Sequence, residues 1–364
     1  MEKIIAVLEG DGIGPEIVKE AVKVLKAVEI KYKHKFTLTY APFGAQAYFD
    51  EGSPFPEKTK QICDNADVII KGPVGLAIDQ MNQIPQEHRP EIGAILPLRK
   101  RYDTFANFRP VRLPESLASF SPLKPEIIGK GLDILMIREL VGGIYFGDKI
   151  EGPLTGMKYA KDDCTYTAEQ VRRVAVTAFE EARKRRSALT NIHKANVLAT
   201  SRFWNEIVEQ AAKDFSDVPY KSMLVDNAAY QLVKAPAQFN GVVLIENMQG
   251  DILTDQAGGI IGSLGLMPSA CIGPEKSYVE AAHGSAPDIA GMNIANPYSM
   301  IGSVALMFDR CLNLPDEAQD IWDGLFNIFA QGFITKELAS GINEHKKTVS
   351  TSEFGDMVAA SILK

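Results

Sequence analysis

Cysteine is scarce: Cys63, Cys164, Cys271 and Cys311 are the only four in 364 residues, and no CxxC spacing joins them. That argues against a disulfide framework and for reduced thiols in a cytosolic protein. Long apolar runs are missing as well. No stretch reaches the roughly 18 residues of a membrane span, and the apolar part of Met1–Leu8 is too short and too soon interrupted for a signal peptide. Positive charge is also in short supply, with a net charge of −7. That argues against a nucleic-acid-binding surface as the main business of the chain. The one basic run, Arg183-Lys184-Arg185-Arg186, ends an amphipathic helix, where cations complement the helix dipole. Repeats, low-complexity tracts and linkers are absent too. What remains is 46% apolar and 23% charged, the balance of a globular protein with a sizeable core. The length suits two ordinary domains or one large α/β unit.

Strand and helix patterns alternate along the chain. Ile4–Leu8 reads as a buried strand, followed by Gly10-Asp-Gly-Ile-Gly-Pro15 and a helical pattern at Ile17, Ala21, Val24 and Val28. Pro15 occupies the place of the third glycine of GxGxxG, so the ordinary dinucleotide fingerprint fails. Further strands are expected at 66–73, 104–112, 131–139, 189–192, 220–225, 242–245 and 278–282. A loop at 89–98 leads into a basic helix, and a glycine-rich segment, 142–147, follows the strand at 131–139. Thr167 and Gln170 form a capping box for a helix running through Ala182. Two more helices, around 316–331 and 353–363, close the chain. The recurrent theme is a strand with a polar or charged residue at its carboxyl end, where ligands collect in α/β sheets.

The stretch Glu246–Gly265 carries the sharpest chemical pattern. After the strand at 242–245, Gly250 reads as a break and a helix follows, on which Asp251 and Asp255 stand four apart and share a face. Two such carboxylates suit a hard divalent cation, Mg²⁺ or Mn²⁺. Taken alone, the pair reads first as a solvated first turn favoured by the helix dipole. Arg99, Arg109 and Arg138 each lie near an element junction, and three converging guanidinium forks would hold a dicarboxylate. Singly, an arginine reads as a surface residue, which Arg138 resists best because it follows Leu-Met-Ile at the end of a buried-looking strand; Tyr145 reads as a packed strand tyrosine and Lys194 as a surface lysine. Buried near other cations, Lys194 becomes a competent base. Asp226 ends the strand at 220–225 and would be a third carboxylate. His283 opens a Gly- and Pro-containing loop, and His193 beside Lys194 has no role that the sequence derives.

Taken together these residues resemble the β-decarboxylating dehydrogenases, the family of 3-isopropylmalate, isocitrate, homoisocitrate and tartrate dehydrogenases. The resemblance spans the chain. It rests most on Asn247-Met-Gln-Gly250-Asp251-Ile-Leu-Thr-Asp255 with Gly262-Ser-Leu-Gly265. Gly10–Glu16, Phe105–Pro110, Arg138–Gly147, Lys194-Ala-Asn196 and His283–Gly291 support it independently. It implies a two-domain α/β fold that is not an ordinary Rossmann fold. A cofactor-binding domain would hold 1–104 with 262–364, and a dimerisation and metal/substrate domain 105–261. It implies a homodimer with shared active sites, in which Lys194 and Asp226 reach the partner's cleft and Asp226 joins Asp251 and Asp255 on Mg²⁺ or Mn²⁺. Arg99, Arg109, Arg138 and Asp226 would bind a small 2-hydroxy dicarboxylate. Lys194 would take the hydroxyl proton, and Tyr145 would protonate the enolate carbon left by CO₂. Since no side chain can accept hydride, NAD would.

The resemblance also bears on specificity. Isocitrate-type members carry polar groups before the first arginine, whereas Gly93–Leu98, with Ile95 and Leu96, is apolar. That points to 3-isopropylmalate, the leucine-biosynthesis acid, because each methylene in an apolar pocket discriminates by roughly 1–3 kcal/mol. Asp288 and Ile289 match NAD-using members, with Asn196, His283, Gly284, Ser285, Ala286 and Pro287 also at the cofactor, Glu91 near its nicotinamide ribose and Asn296 near its adenine. His193, Glu246, Met248-Gln249 and the loop Lys71–Gly75 depart from the common pattern. Two other readings stand beside this one. The same chemistry would serve another acid (tartrate, malate, 3-methylmalate or homoisocitrate), or the fold would serve as a non-catalytic regulatory subunit. Such subunits lose acids or bases of the site, and here Lys194, Tyr145, Asp226, Asp251 and Asp255 are all present.

Overall fold

The computed structural model describes residues 1–154, 157–339 and 346–364, the side chains of 116 and 154 excepted. In chain order the strands begin β1 (Glu2–Leu8), β2 (Lys35–Tyr40), β3 (Val68–Lys71), β4 (Ala106–Pro114), β5 (Gly131–Glu139), β6 (Lys149–Leu154) and β7 (Met157–Asp162). They continue β8 (Leu189–His193), β9 (Tyr220–Leu224), β10 (Gly241–Ile245), β11 (Pro268–Ile272), β12 (Tyr278–Ala281), β13 (Phe333–Thr335) and β14 (Lys347–Val349). The first helices are α1 (Gly14–Tyr32), α2 (Ala45–Glu51), α3 (Glu57–Asn65), α4 (Leu96–Arg101), α5 (Pro125–Ile128) and α6 (Ala168–Arg185). The rest are α7 (Ala199–Ala212), α8 (Val225–Lys234), α9 (Asn247–Ile261), α10 (Tyr298–Leu306), α11 (Pro315–Ala330) and α12 (Thr351–Ile362).

The chain divides into two compact units. One holds Met1–Asp103, Ser116–Pro122 and Ile261–Lys364; the other holds Thr104–Glu115 and Leu123–Ile260. The excursion at 116–122 belongs with both termini because of Phe120. Its ring lies 5.2 Å from that of Phe329, and its carbonyl closes on Gly262, where φ is +107°.

Within the first unit the strands lie in the order β2-β1-β3-β12-β11. β1 pairs parallel with β2 and β3, β12 pairs parallel with β3, and β11 runs antiparallel to β12. β3 is buried along its whole length, which explains its near-continuous apolar run. α1 starts with Pro15 in its first turn and buries Ile17, Val18, Ala21, Val24, Leu25 and Val28 against α10 and α12. Each of the Ile, Val and Leu side chains so removed from water is worth roughly 1.5–3 kcal/mol. The glycine loop after β1 serves the fold through Asp11. Its buried carboxylate accepts backbone N–H groups from Ala45 (2.8 Å), Gln46 (3.0 Å) and Gly75 (2.9 Å), pinning two further loops. Burial lifts the Asp11 pKa above the usual range even against those three donors.

Within the second unit the order is β4-β5-β10-β8-β9. β4 is antiparallel to β5, while β5, β10, β8 and β9 run parallel. Their carboxyl ends therefore meet one edge, which receives Arg138 from β5, Glu246 after β10, Lys194 after β8 and Asp226 after β9. α6 begins at the expected capping box of Thr167 and Gln170. The strands β6 and β7 form an antiparallel hairpin, exposed throughout β7.

Three local expectations change. Gly250 does not break the strand: α9 starts at Asn247, so Gly250 is helical and Asp251 lies beyond the first turn. The apolar stretch before Arg99 is no loop, because Glu91–Ile95 form a π-helical turn that runs straight into α4. The segment at 142–147 is a chain of turns rather than strand, so Tyr145 is not a strand tyrosine.

Candidate active site

In the second unit the side chains gather on α9. Asn247 opens that helix, and its Oδ1 accepts from Arg138 Nε at 3.1 Å and Nη2 at 2.8 Å. The remaining Arg138 Nη1 bonds Asp251, whose other oxygen accepts the Tyr145 hydroxyl at 2.9 Å. Arg109 Nη1 donates to Thr254 Oγ1 at 2.7 Å and to Asp255 Oδ1 at 3.2 Å. Both guanidiniums are buried, at 4% exposure for Arg109 and 1% for Arg138. Arg138 fits because Gly250 has no side chain: a Cβ there would stand 2.8 Å from Arg138 Cγ.

Glu246, unexplained by sequence, caps this helix. Its Oε1 accepts Gln249 N–H at 2.7 Å and its Oε2 the Tyr166 hydroxyl at 2.9 Å. Tyr166 in turn accepts the Asn247 N–H at 3.0 Å. Asn247, Thr254 and Tyr166 are site residues that the sequence reading did not single out. Asn247 and Thr254 lie inside the quoted motif, whereas nothing near Tyr166 in sequence signals its partner.

The arrangement leaves two carboxylates one helical turn apart on side chains that stay partly exposed, 41% for Asp251 and 51% for Asp255. Burial, and after it the neighbouring Asp251 charge, hold the Asp255 carboxyl above its ordinary range although Arg109 opposes both. Such crowding of hard oxygen donors fits a divalent cation. Arg109 Nε is buried without a partner, a donor turned to no protein acceptor, which fits an anionic substrate group. Burial, with Asp251 next, pushes the Tyr145 phenol to about 12, so it holds its proton at neutral pH.

Lys194 sits in the turn after β8, and Asp226 in the first turn of α8. Lys194 Nζ lies 2.6 Å from Asp226 Oδ1, and this pairing is the first cause that holds the Asp226 carboxyl below its usual range. The partner of Lys194 is thus a carboxylate, not the neighbouring cations expected of it. Among the described residues no three His, Cys, Asp or Glu side chains form a metal-binding group, so Asp226 does not complete a set with Asp251 and Asp255 in one chain. Asn196 is exposed in the same turn as Lys194.

In the first unit a cavity of about 360 Å³ is lined by Ile13, Leu264, Ile289 and Ala286, with His283, Gly284 and Asn296. Asn296 Nδ2 and His283 Nε2 are both buried without partners. His283 Nδ1 donates to the Gly284 carbonyl at 2.8 Å, so Nε2 is left as an acceptor, and burial lowers the ring's pKa. An apolar slot with one free donor and one free acceptor fits a heteroaromatic ring or ribose. Ser285 faces elsewhere, its hydroxyl donating to the Gly75 carbonyl at 2.9 Å. Pro287 and Asp288 are exposed on a short 3-10 turn. Glu91 is exposed, its Oε1 close over Gly75. Ile95 and Leu96 are half-buried ahead of Arg99, whose buried guanidinium donates to the Tyr278 hydroxyl at 3.3 Å. Glu337 also lines the cavity and accepts the Ser263 hydroxyl at 2.6 Å, a residue with no sequence signal of its own.

The profile of the isocitrate/isopropylmalate dehydrogenase family matches residues 4–358. A 3-isopropylmalate dehydrogenase of Thermotoga maritima is 43% identical over 360 residues, covering 98% of each chain. One from Bacillus licheniformis is 45% identical over 363 residues, covering 99% of this chain and 96% of its own. Among solved structures, isocitrate dehydrogenase from Methylococcus capsulatus aligns with a TM-score of 0.87 and 29% identity over all of both chains. A β-decarboxylating dehydrogenase from Thermococcus kodakarensis, in its apo form, aligns at 0.78 with 32% identity over 99% and 96%.

Proposed function

The chain belongs to the isocitrate/isopropylmalate dehydrogenase family, and from that premise we propose an NAD- and divalent-metal-dependent oxidative decarboxylation. The substrate is (2R,3S)-3-isopropylmalate and the product 2-oxo-4-methylpentanoate, a cytosolic step of leucine biosynthesis. One observation carries the reading. A single helical face gathers Asp251 and Asp255, each bonded to a buried arginine, with the Tyr145 phenol on the same carboxylate.

When bound, a divalent ion on these carboxylates supplies charge that acidifies a 2-hydroxyl and steadies an enolate, and nicotinamide supplies the hydride acceptor. The protein's own groups do the rest. Arg109 and Arg138 hold the acid's carboxylate groups in planar forks. Lys194 Nζ receives the hydroxyl proton, and loss of the β-carboxylate as CO₂ leaves a carbanion equivalent. Tyr145 Oη, still protonated, delivers a proton to that carbon. His283 and Asn296 orient the cofactor's adenosine part in the apolar slot, with Asp288 on its ribose.

The functional molecule is a homodimer with shared sites. Asp226 is 62% exposed, and Tyr230 and Val233 follow it at helical spacing with 57% and 45% exposure. A carboxylate bordered by exposed apolar residues on one helix face suits burial against a second copy. Asp226 would then complete the ion's ligands from the partner.

The same chemistry on another acid is the second reading, favoured by the fold's likeness to isocitrate dehydrogenase. Against it stands the apolar stretch with Ile95 and Leu96 before Arg99. Initial rates with 3-isopropylmalate, isocitrate, homoisocitrate, malate and tartrate, each with NAD and NADP, decide between them. We expect 3-isopropylmalate with NAD to give the highest kcat/KM. Turnover should stop with EDTA and return with Mg²⁺ or Mn²⁺. Asp251→Asn should cost on the order of 10³-fold in kcat, since ion-borne charge stabilisation is worth several kcal/mol. Full activity in EDTA would sink the proposal.

A further inference from the structure

His193 precedes Lys194 and is buried, at 7% exposure. Both ring nitrogens are engaged. The Ala195 backbone N–H lies 3.1 Å from Nδ1, and the Ser222 hydroxyl lies 2.6 Å from Nε2. A backbone amide can only donate, so Nδ1 must be an unprotonated acceptor and Nε2 carries the hydrogen of the neutral ring. Nε2–H therefore donates to Ser222 Oγ. Ser222 then donates to Asn205 Oδ1 at 2.9 Å, and Asn205 Nδ2 donates to Glu209 Oε1 at 2.7 Å.

The chain of donors has one consistent direction from histidine to carboxylate. Asn191, two residues back on the same face of β8, braces it by donating to the same Asn205 oxygen at 3.0 Å and accepting Trp204 Nε1 at 2.9 Å. Burial keeps the ring's pKa below the ordinary histidine value, which preserves Nδ1 as an acceptor.

The anchored amide belongs to the turn that carries Lys194. Val197 and Leu198 N–H close that turn on the Lys194 carbonyl at 3.1 and 3.0 Å. Arg202 Nη1 holds its outer side through the Val197 carbonyl at 3.1 Å. The lysine tip is held at Asp226. At Ala195, immediately after the lysine, two side chains hold the backbone: Arg202 Nη1 donates to its carbonyl at 3.4 Å from an exposed position, and the buried His193 ring accepts its N–H at 3.1 Å.

We infer that His193 is the positioning residue for Lys194, acting as a one-tautomer clamp on the Ala195 amide and tied through Ser222 and Asn205 to α7. This rests on the reading of Lys194 as the base. The clamp needs an acceptor two residues before the amide, which an asparagine side chain can also supply as an Asx turn. Leucine of similar bulk cannot.

Steady-state kinetics on the full chain with 3-isopropylmalate, NAD and Mg²⁺ test it. His193→Leu should lower kcat by about 10- to 100-fold, the cost of sub-ångström misplacement of a reacting group, with KM for NAD unchanged. His193→Asn should recover kcat to within about threefold of the parent, because the Asx acceptor restores the turn. A His193→Leu protein as active as the parent overturns the clamp, as does an asparagine variant no better than leucine. Ring ¹⁵N shifts of the unsubstituted protein give a readout independent of variant folding: protonated Nε2 supports the clamp, and protonated Nδ1 overturns it. Lys194→Ala separates the two claims. If it is inactive while His193→Leu is active, only the clamp falls; if it is active, the base assignment falls and the clamp's catalytic meaning with it.

Discussion

Glu139, one residue beyond Arg138, is fully buried and accepts the N–H groups of Val141 at 2.8 Å and Gly142 at 2.9 Å. Burial nevertheless pushes its carboxyl to about 7, overcoming those donors and the nearby Arg173 and Arg138. In the unfolded chain the same group releases its proton near 4.5. Between those values the folded state binds the extra proton, so this group's contribution to stability falls as pH rises through the window and is level above it. The full swing is at most roughly 3–4 kcal/mol at 1.36 kcal/mol per pKa unit. Urea midpoints of the parent and Glu139→Gln across pH 5 to 8 isolate the effect, since glutamine cannot ionise. The parent should lose stability relative to the variant as pH rises. Parallel curves would refute the shifted carboxyl. Neither this group nor the Glu246 cap could be read from sequence, because what decides each is a partner or a dielectric set by distant chain: Tyr166 meets Glu246 across eighty positions.

At the level of elements, legibility followed burial. β3 and β10 are buried throughout, so their apolar runs alone mark them, and the capping box of α6 lies where Thr167 and Gln170 predict it. The start of α9 was misplaced because glycine in isolation reads as a breaker. Its reason for being there is Arg138, whose aliphatic stem crosses the helix where a Cβ would intrude to 2.8 Å. Gly250→Ala puts two effects in opposition. Alanine is favoured in a helix interior by roughly 0.8–1 kcal/mol, while forcing a methyl into a packed contact costs about 1–3 kcal/mol. Arg138 is 1% exposed and tied to Asn247 and Asp251, so the contact cannot give cheaply and the packing cost should win. The expected result is a net loss of about 1 kcal/mol in thermal unfolding, within that packing range, with a rise in KM for the acid and an unchanged KM for NAD. A more stable, fully active Gly250→Ala would show that Arg138 does not depend on the bare helix face.

At the scale of the whole molecule, Asp226 and Asp251 stand on different elements of the second unit, and one chain does not bring three acidic ligands together among its described residues. Sharing sites across a two-fold axis has a consequence that no single-chain site can imitate. In the proposed C₂ dimer there would be two equivalent sites, each taking Asp251 and Asp255 from one copy and Asp226 with Lys194 from the other. Asp226→Asn and Asp251→Asn should each be inactive as homodimers. In a heterodimer of the two, both lesions fall into one site and the other site is left entirely native. Random reassortment makes half the dimers mixed, each with one working site, so about a quarter of parental activity should return. The measurement is turnover after the two purified variants are co-refolded, with each variant refolded alone as the control. Recovery near that fraction identifies sites built from two chains. No recovery, with mixed dimers demonstrated by differential tagging, would mean that each chain assembles its own catalytic set and that Asp226 serves Lys194 alone.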